Sequence, residues 1–365
     1  MLPGAYVGSG LLCRNNVLMV KIGFIGAGFI CQQCHLPAFT EAEGAELAAL
    51  ADIDPNVRQK IGDRFGIPNR YTSHKELLAD PAIDAVVVVV KRNLSYGLIK
   101  EAMEAGKHVY TEKPLCLDPD HAQELAQIAQ NKGLVLNVGY MKRHDDGVEG
   151  YREFLRKKMD GGLPSLASIY HYGGDSYWNP INQVRSTTRP EDAVSHDEGI
   201  PADVDPAWHP AYVNFINTYS HSLDLIEHLT GGTLGNPVAK VDNQGHGVTT
   251  FDLGFDGKES PVPVSFQTAE CKTATWEDGL EIIFPGCITK LRLSPPLLRN
   301  APAEWSIISG NDPQSFQTYR AKPSWAFVGQ AQAFVDGLLE GRHWVDSAAV
   351  RHVGLVHNIF KGTQA

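Results

Sequence analysis

Glu112-Lys113-Pro114 closes a run of apolar residues, and a lysine at the end of a buried strand is a candidate proton carrier. Further along, Asn217-Thr218-Tyr219-Ser220-His221-Ser222-Leu223-Asp224 spaces an amide, an imidazole and a carboxylate as a helix would. Asn217 and His221 then share one face, and Asp224 lies one turn from the histidine. Near the start, Gly26-Ala27-Gly28-Phe29-Ile30-Cys31 follows the apolar run Val20 to Ile25 and precedes a second one ending in Asp52. Glycines after a strand permit a tight turn and a close backbone approach to phosphate at a helix start. A carboxylate roughly 20 residues later suits the ribose hydroxyls. Together the glycine turn and the strand-end carboxylate suit a bound dinucleotide, with a lysine at another strand end as a candidate proton carrier.

Within the glycine segment, Gly26 serves the turn and Gly28 the pyrophosphate, with Phe29 and Ile30 counted among the cofactor contacts. Cys31 stands where a third glycine is usual, and its small side chain still permits close helix–strand packing. Asp52 would bind both adenosine ribose hydroxyls and repel a 2′-phosphate, and Ile53 after it brings no cation. NAD is therefore expected over NADP. The plainer alternative for Asp52 is a solvated strand-end carboxylate.

These groups need a scaffold that gathers strand ends. Glu76 to Leu78 predicts a short helix, Ala85 to Val90 a buried strand, and Leu98 to Ala105 a helix closed by Gly106. His108 to Tyr110 and Leu134 to Val138 are further strands. The alternation predicts a doubly wound α/β Rossmann domain with ligands beyond the carboxyl ends of its strands. Asp52, a Lys91-Arg92-Asn93 loop, Glu112, Lys113 and Tyr140 all fall there. After residue 150 the pattern changes to strands at Leu166 to Tyr172, Val238 to Asp242, Val248 to Phe255, Val262 to Thr268, Leu280 to Phe284 and Ile288 to Leu293. Helices follow at Trp325 to Leu339 and Asp346 to Phe360, which predicts an α+β domain with a large, mostly antiparallel open-faced sheet. The division is 1–18 as a flexible extension without a secretory signal, 19–141 for the cofactor and 142–365 for substrate binding and oligomerisation.

A net charge of −10 makes the chain a poor match for nucleic acid, and its longest apolar run, Ala85 to Val90, is far too short to span a membrane. Six sparse cysteines suggest reduced thiols in a cytoplasmic protein. Cys31 and Cys34 form a CxxC inside a predicted helix with no second pair, so no redox or zinc role is expected. Residues 173–210 carry Tyr177, Trp178, Arg185, Arg189, His196, Asp197, Glu198, Trp208 and His209. A lid or substrate-shaping loop is expected there, with an oligomer contact as the plainer alternative and no metal site.

The segments GFIGAGFI, AGKHVYTEKPL, VGYMKRHDDGVE and NTYSHSLDLIEHLTG resemble the Gfo/Idh/MocA family of glucose–fructose oxidoreductase and inositol dehydrogenase relatives. The resemblance implies that Lys113 is the active-site lysine and His221 the acid–base residue, with Glu112 and Asn93 at the nicotinamide end. It also implies that Tyr140, Lys142, Arg143 and Asn217 face the substrate, a carbohydrate or polyol, and that a homodimer or homotetramer forms through the open sheet. The family pattern D-x-G-x-H-x-x-D is altered here, with Asn217 and Tyr219 at its first two positions. An amide is neutral and also donates, so His221 becomes a weaker base and more proton transfer falls to Lys113. The leading expectation is an NAD-dependent sugar, glycoside or polyol dehydrogenase. The alternatives are a glycosidase using bound NAD for transient oxidation, elimination and re-reduction, and a non-catalytic nucleotide-sensing regulator.

Overall fold

The computed structural model describes residues 13–14, 17–174, 182–187, 199–271, 276–310 and 314–362. Of the first 18 residues, Cys13–Arg14 pairs antiparallel with Val17–Leu18, and the rest of the expected extension lies outside the described residues.

Six strands form the first sheet: β1 (Val20–Ile25), β2 (Ala45–Ala51), β3 (Asn69–Tyr71), β4 (Ala85–Val88), β5 (His108–Thr111) and β6 (Leu136–Val138). All pair in parallel, in the order β3-β2-β1-β4-β5-β6. Every residue of β4 is buried, as a strand covered on both faces requires. The order reverses between β1 and β4, which opens a crevice outside their carboxyl ends. The connecting helices are α1 (Leu36–Glu41), α2 (Pro55–Phe65), α3 (His74–Leu78), α4 (Arg92–Glu104) and α5 (Pro119–Lys132). A turn of π-helix, Cys31–His35, leads into α1. The expected Lys91-Arg92-Asn93 loop is in fact the start of α4, with Lys91 as its N-cap. Helices α2 and α5 are both introduced by Asp-Pro: Asp54 accepts from Val57 N, and Asp118 from the amides of Asp120 and His121.

The second unit begins with α6 (Asp146–Met159) and β7 (Leu166–Gly174), followed by α7 (His209–Asn214), a π-helical turn (Phe215–Tyr219) and α8 (Ser220–Thr230). Strands β8 (Thr233–Val241), β9 (Gly247–Gly254), β10 (Val262–Cys271), β11 (Glu277–Phe284), β12 (Cys287–Arg292), β13 (Glu304–Ser309) and β14 (Ser315–Arg320) complete it. The order is β8-β9-β10-β7-β11-β12-β13-β14, with β7 and β10 parallel and the other neighbours antiparallel. Buried and exposed residues alternate along β9 and β10, so one face carries the core and the other is open. The strands β13 and β14 escape the hydrophobic pattern because β14 lies at the sheet edge and exposes most of its residues.

Helices α9 (Ala326–Leu339) and α10 (Ser347–Phe360) close the chain. Although late in sequence, α9 covers the first sheet: Phe327, Ala331, Phe334 and Val335 share a core with Val20, Ile22, Phe24 and Tyr110. Leu136 N then donates to Trp344 O, and Asp346 N to Leu136 O, so this segment extends the parallel sheet beyond β6. The packing of this late segment crosses the division expected at residue 141.

Candidate active site

Gly26 ends β1 at φ +85°, and a Cβ on it would sit 2.5 Å from the Val89 carbonyl oxygen, so only glycine fits. Gly28 differs: a Cβ there would meet nothing within 4 Å. The fold does not demand that glycine, and the space above it is what a closely approaching phosphate needs. The Asp52 carboxylate is fixed against this loop, accepting from Ala27 N at 2.8 Å and from Asp54 N at 2.8 Å. A backbone turn, open space over a helix start and a strand-end carboxylate fit the ribose and pyrophosphate of a dinucleotide. Arg58, unforeseen from sequence, donates to the Asp52 main-chain oxygen. Cys31 and Cys34 are buried, and burial pushes both thiols well above their ordinary pKa. Such thiols are poor nucleophiles and poor metal ligands.

A cavity of about 200 Å³ opens at the carboxyl ends of β4 and β5, lined among others by Ile30, Val90, Arg92, Glu112, Lys113 and Asn217. Lys113 Nζ donates to the main-chain oxygen of Asn217 at 2.6 Å and lies 3.5 Å from its Oδ1. Asn217 sits in the π-helical turn, a distortion frequent at functional sites. Burial pushes the Lys113 ammonium down, Glu112 opposes this, and Arg92 and Lys142 reinforce it, for a net lowering. The Lys113–Pro114 peptide is cis. Glu112 accepts from His35 Nε2 at 2.7 Å and from Lys113 N at 3.1 Å. Burial alone would raise its pKa, but His35 and Lys113 outweigh that and keep it below the ordinary value. His35 carries no local sequence signal. It reaches Glu112 only because the first π-helical turn faces the end of β5. Asn93 lies in the first turn of α4, beside the lining residues Arg92 and Ser95.

His221 packs edge-on against the buried Tyr140, with ring centroids 5.7 Å apart. Its Nδ1 is buried with no hydrogen-bond partner among the described residues, so it is not a structural histidine tied to Asn217 or Asp224. Burial, together with Lys113, Lys142, His171 and Arg143, drives its pKa well below the ordinary value. His221 is therefore held in its neutral form, and the same surroundings make it a weak base.

The expected substrate-facing cations are engaged elsewhere. Lys142 is 6% exposed, and its Nζ lies 2.5 Å from Asp278 Oδ2, which His171 Nδ1 also approaches at 3.4 Å. Arg143 grips Asp224 with two nitrogens and Asp346 at 2.9 Å, so Asp224 serves Arg143 and not His221. The physical reason is shared: Asp278 and Asp224 are buried, and a buried carboxylate must find a cation. No sequence neighbour announces Asp278, His171 or Asp346 as partners. Of the 173–210 insert, Tyr177, Trp178, Arg189, His196, Asp197 and Glu198 lie outside the described residues. Trp208 packs against Phe360, and His209 opens α7. Among the described residues no three His, Cys, Asp or Glu side chains gather to hold a metal, and no helix is long and apolar enough to cross a membrane.

An open parallel sheet with a glycine turn after its first strand is a Rossmann-like fold, with its crevice at the switch point. Residues 20–140, about a third of the chain, match the model of the oxidoreductase family with NAD-binding Rossmann fold (GFO_IDH_MocA). An uncharacterized oxidoreductase of Rhizobium meliloti is 36% identical over 34% of this chain and 37% of its own length. An inositol 2-dehydrogenase/D-chiro-inositol 3-dehydrogenase of Lacticaseibacillus casei is 32% identical over 47% of this chain and 49% of its own. The chain thus matches less than half the length of these relatives. A solved 3-ketoreductase from Actinomadura kijaniata, in complex with TDP-benzene and NADP, superposes with a TM-score of 0.64. It is 18% identical, and the match covers 94% of this chain and 97% of that one. This likeness extends the shared fold to both units. Residues 20–140 thus resemble the NAD-binding part of oxidoreductases, an inositol dehydrogenase among them.

Proposed function

We propose that the protein is an NAD-dependent dehydrogenase that oxidises a secondary hydroxyl of a sugar, glycoside or polyol. The observation that carries this reading is Lys113, whose amine is held at Asn217 in the switch-point cavity by neutral oxygen acceptors. The dinucleotide, when bound, accepts the hydride. Gly26, Gly28, Phe29, Ile30 and Asp52 would hold its adenosine and pyrophosphate, and Asn93 and Glu112 its nicotinamide end. Asp52 disfavours a 2′-phosphate, which supports NAD over NADP. Lys113 in its neutral form takes the hydroxyl proton, and the neutral His221 either shares that proton or orients the hydroxyl. Asn217 and the wall formed by Tyr140 seat the substrate, while Lys142 and Arg143 stiffen that wall through Asp278 and Asp224.

The reading extends to assembly and location. Val238 and Val248 are exposed on the β8–β9 side of the large sheet, and Phe316 on its other edge strand, which supports a homodimer or homotetramer through that face. The free cysteines described, four of them buried, support a reducing, cytoplasmic setting.

The test is an NADH-absorbance screen of inositols, sugars, acidic sugars and aryl glycosides with NAD and with NADP. Net NADH with a sugar or polyol is expected. A clear NADP preference refutes the role given to Asp52. Release of aglycone without net NADH refutes net oxidation, and activity on simple aliphatic alcohols alone refutes the substrate class.

A further inference from the structure

Val184 to Thr187 follow β7 by many residues, yet they are fastened to the first sheet. Gln32, 4% exposed, donates through Nε2 to the carbonyls of Ala27 (2.6 Å) and Val184 (3.0 Å), and its Oε1 accepts from Val184 N at 2.9 Å. On the other side is Asp54, 1% exposed, whose Oδ1 caps α2. Its Oδ2 accepts from Thr187 N at 2.6 Å, Ser186 Oγ at 2.7 Å and Thr187 Oγ1 at 3.2 Å. Between the two fasteners, Asn56 Nδ2 donates to the Arg185 carbonyl at 3.1 Å.

Both fasteners grip the groups that bracket the cofactor groove. Gln32 holds the glycine loop through Ala27, and Asp54 follows the Asp52 that accepts from Ala27 N. Capping α2 needs one oxygen of Asp54, so its second oxygen is given to the crossing segment. Arg185, which is exposed, is therefore held at backbone level beside the ribose and pyrophosphate groove. The first βαβ unit offers little free positive charge there: Gly26 to Val57 contains no Lys or Arg, Asp52 and Asp54 add negative charge, and Arg58, next in sequence, is engaged with the Asp52 main-chain oxygen at 2.6 Å. Helix-start amides supply only partial charge to two phosphates, whereas a guanidinium supplies a full charge and a planar fork.

We infer that residues 184–187 are a strap across the adenosine side of the groove, and that Arg185 binds the pyrophosphate of an adenine dinucleotide. This rests on the cofactor reading above. Because NAD and NADP share the pyrophosphate, the contribution is common to both, and selection between them stays with Asp52.

The experiment is calorimetric titration of the full chain with NAD, NADP and adenosine. Arg185→Ala is expected to weaken each dinucleotide the wild type binds by about tenfold, in line with loss of one charge-assisted contact. Adenosine affinity and thermal unfolding stay unchanged. Asp54→Asn keeps a capping oxygen but turns an amide N–H toward Thr187 N. It is expected to cause a similar loss, with the double variant no worse than either single one. Dinucleotide affinity within about twofold of wild type in Arg185→Ala overturns the inference. A loss confined to NADP overturns the pyrophosphate assignment. A wild-type chain that binds neither dinucleotide overturns the cofactor reading itself, and the strap with it.

Discussion

Replacing Asn217 with aspartate puts a full negative charge where the Lys113 amine now meets a neutral amide oxygen at 3.5 Å. At an effective dielectric of about 20, two unit charges at that separation attract by about 5 kcal/mol. Solvent in the open cleft reduces this, and an opposite charge at such range typically favours a lysine's charged form by a factor of about 10 to 1,000. The sign follows from the proposed role. Lys113, already lowered by burial, acts when neutral, so oxidation rises with pH as its ammonium loses a proton. An added carboxylate favours the ammonium and moves that rise to higher pH. At any pH below the rise, the rate falls about tenfold for every pH unit by which the profile is displaced. The same charge also draws His221 upward from its depressed value. The assay is kcat/KM for NADH formation across pH at constant ionic strength, with Asn217→Leu as a neutral control that leaves the rise in place. An Asn217→Asp profile superimposable on wild type would refute Lys113 as the group that sets it.

Three further outcomes follow from the same geometry. Lys113→Ala should lower kcat/KM by about 10² to 10⁴ with dinucleotide affinity retained, measured by steady-state kinetics and titration; wild-type turnover would sink the mechanism. Gly26→Ala should destabilise the fold by at least about 1–2 kcal/mol in urea unfolding and abolish dinucleotide binding, since it must adopt positive φ against the Val89 carbonyl. Asp278→Asn should cost about 3–5 kcal/mol because Lys142 keeps its buried charge without a partner. Burial opposes ionisation of Asp278, but Lys142 and His171 hold its carboxyl below the ordinary value, so its stabilisation is full above the unfolded pKa of about 4. It fades as pH falls through the folded value. Urea unfolding at several pH values should therefore show a constant Asp278→Asn penalty near neutrality that shrinks in acid.

Much of the α/β half was legible because its signals are local. β4 is a continuous buried run, the glycine turn sits directly after β1, and Glu112-Lys113-Pro114 follows β5. The starts of helices α2, α5 and α6 are marked by Asp54, Asp118 and Asp145, which cap amides in the next turn. The edge strand β14 stayed hidden because an exposed strand has no core face to enforce alternation.

Residue type and spacing alone determined the parallel nucleotide sheet and the positions of Lys113, His221 and Asp52 on their strand ends and helix. Those features arise within one strand, turn or helix, where a few neighbours dictate the geometry. Tertiary structure decided which charges are available. Lys142 and Arg143 point to Asp278, Asp224 and Asp346, residues distant in sequence, because burial makes every carboxylate compete for a cation. It also set His35 against Glu112, left His221 Nδ1 without a partner among the described residues, and bound residues 184–187 beside the glycine loop. Such pairings depend on which elements meet in space, and a linear pattern of residues carries no record of that meeting.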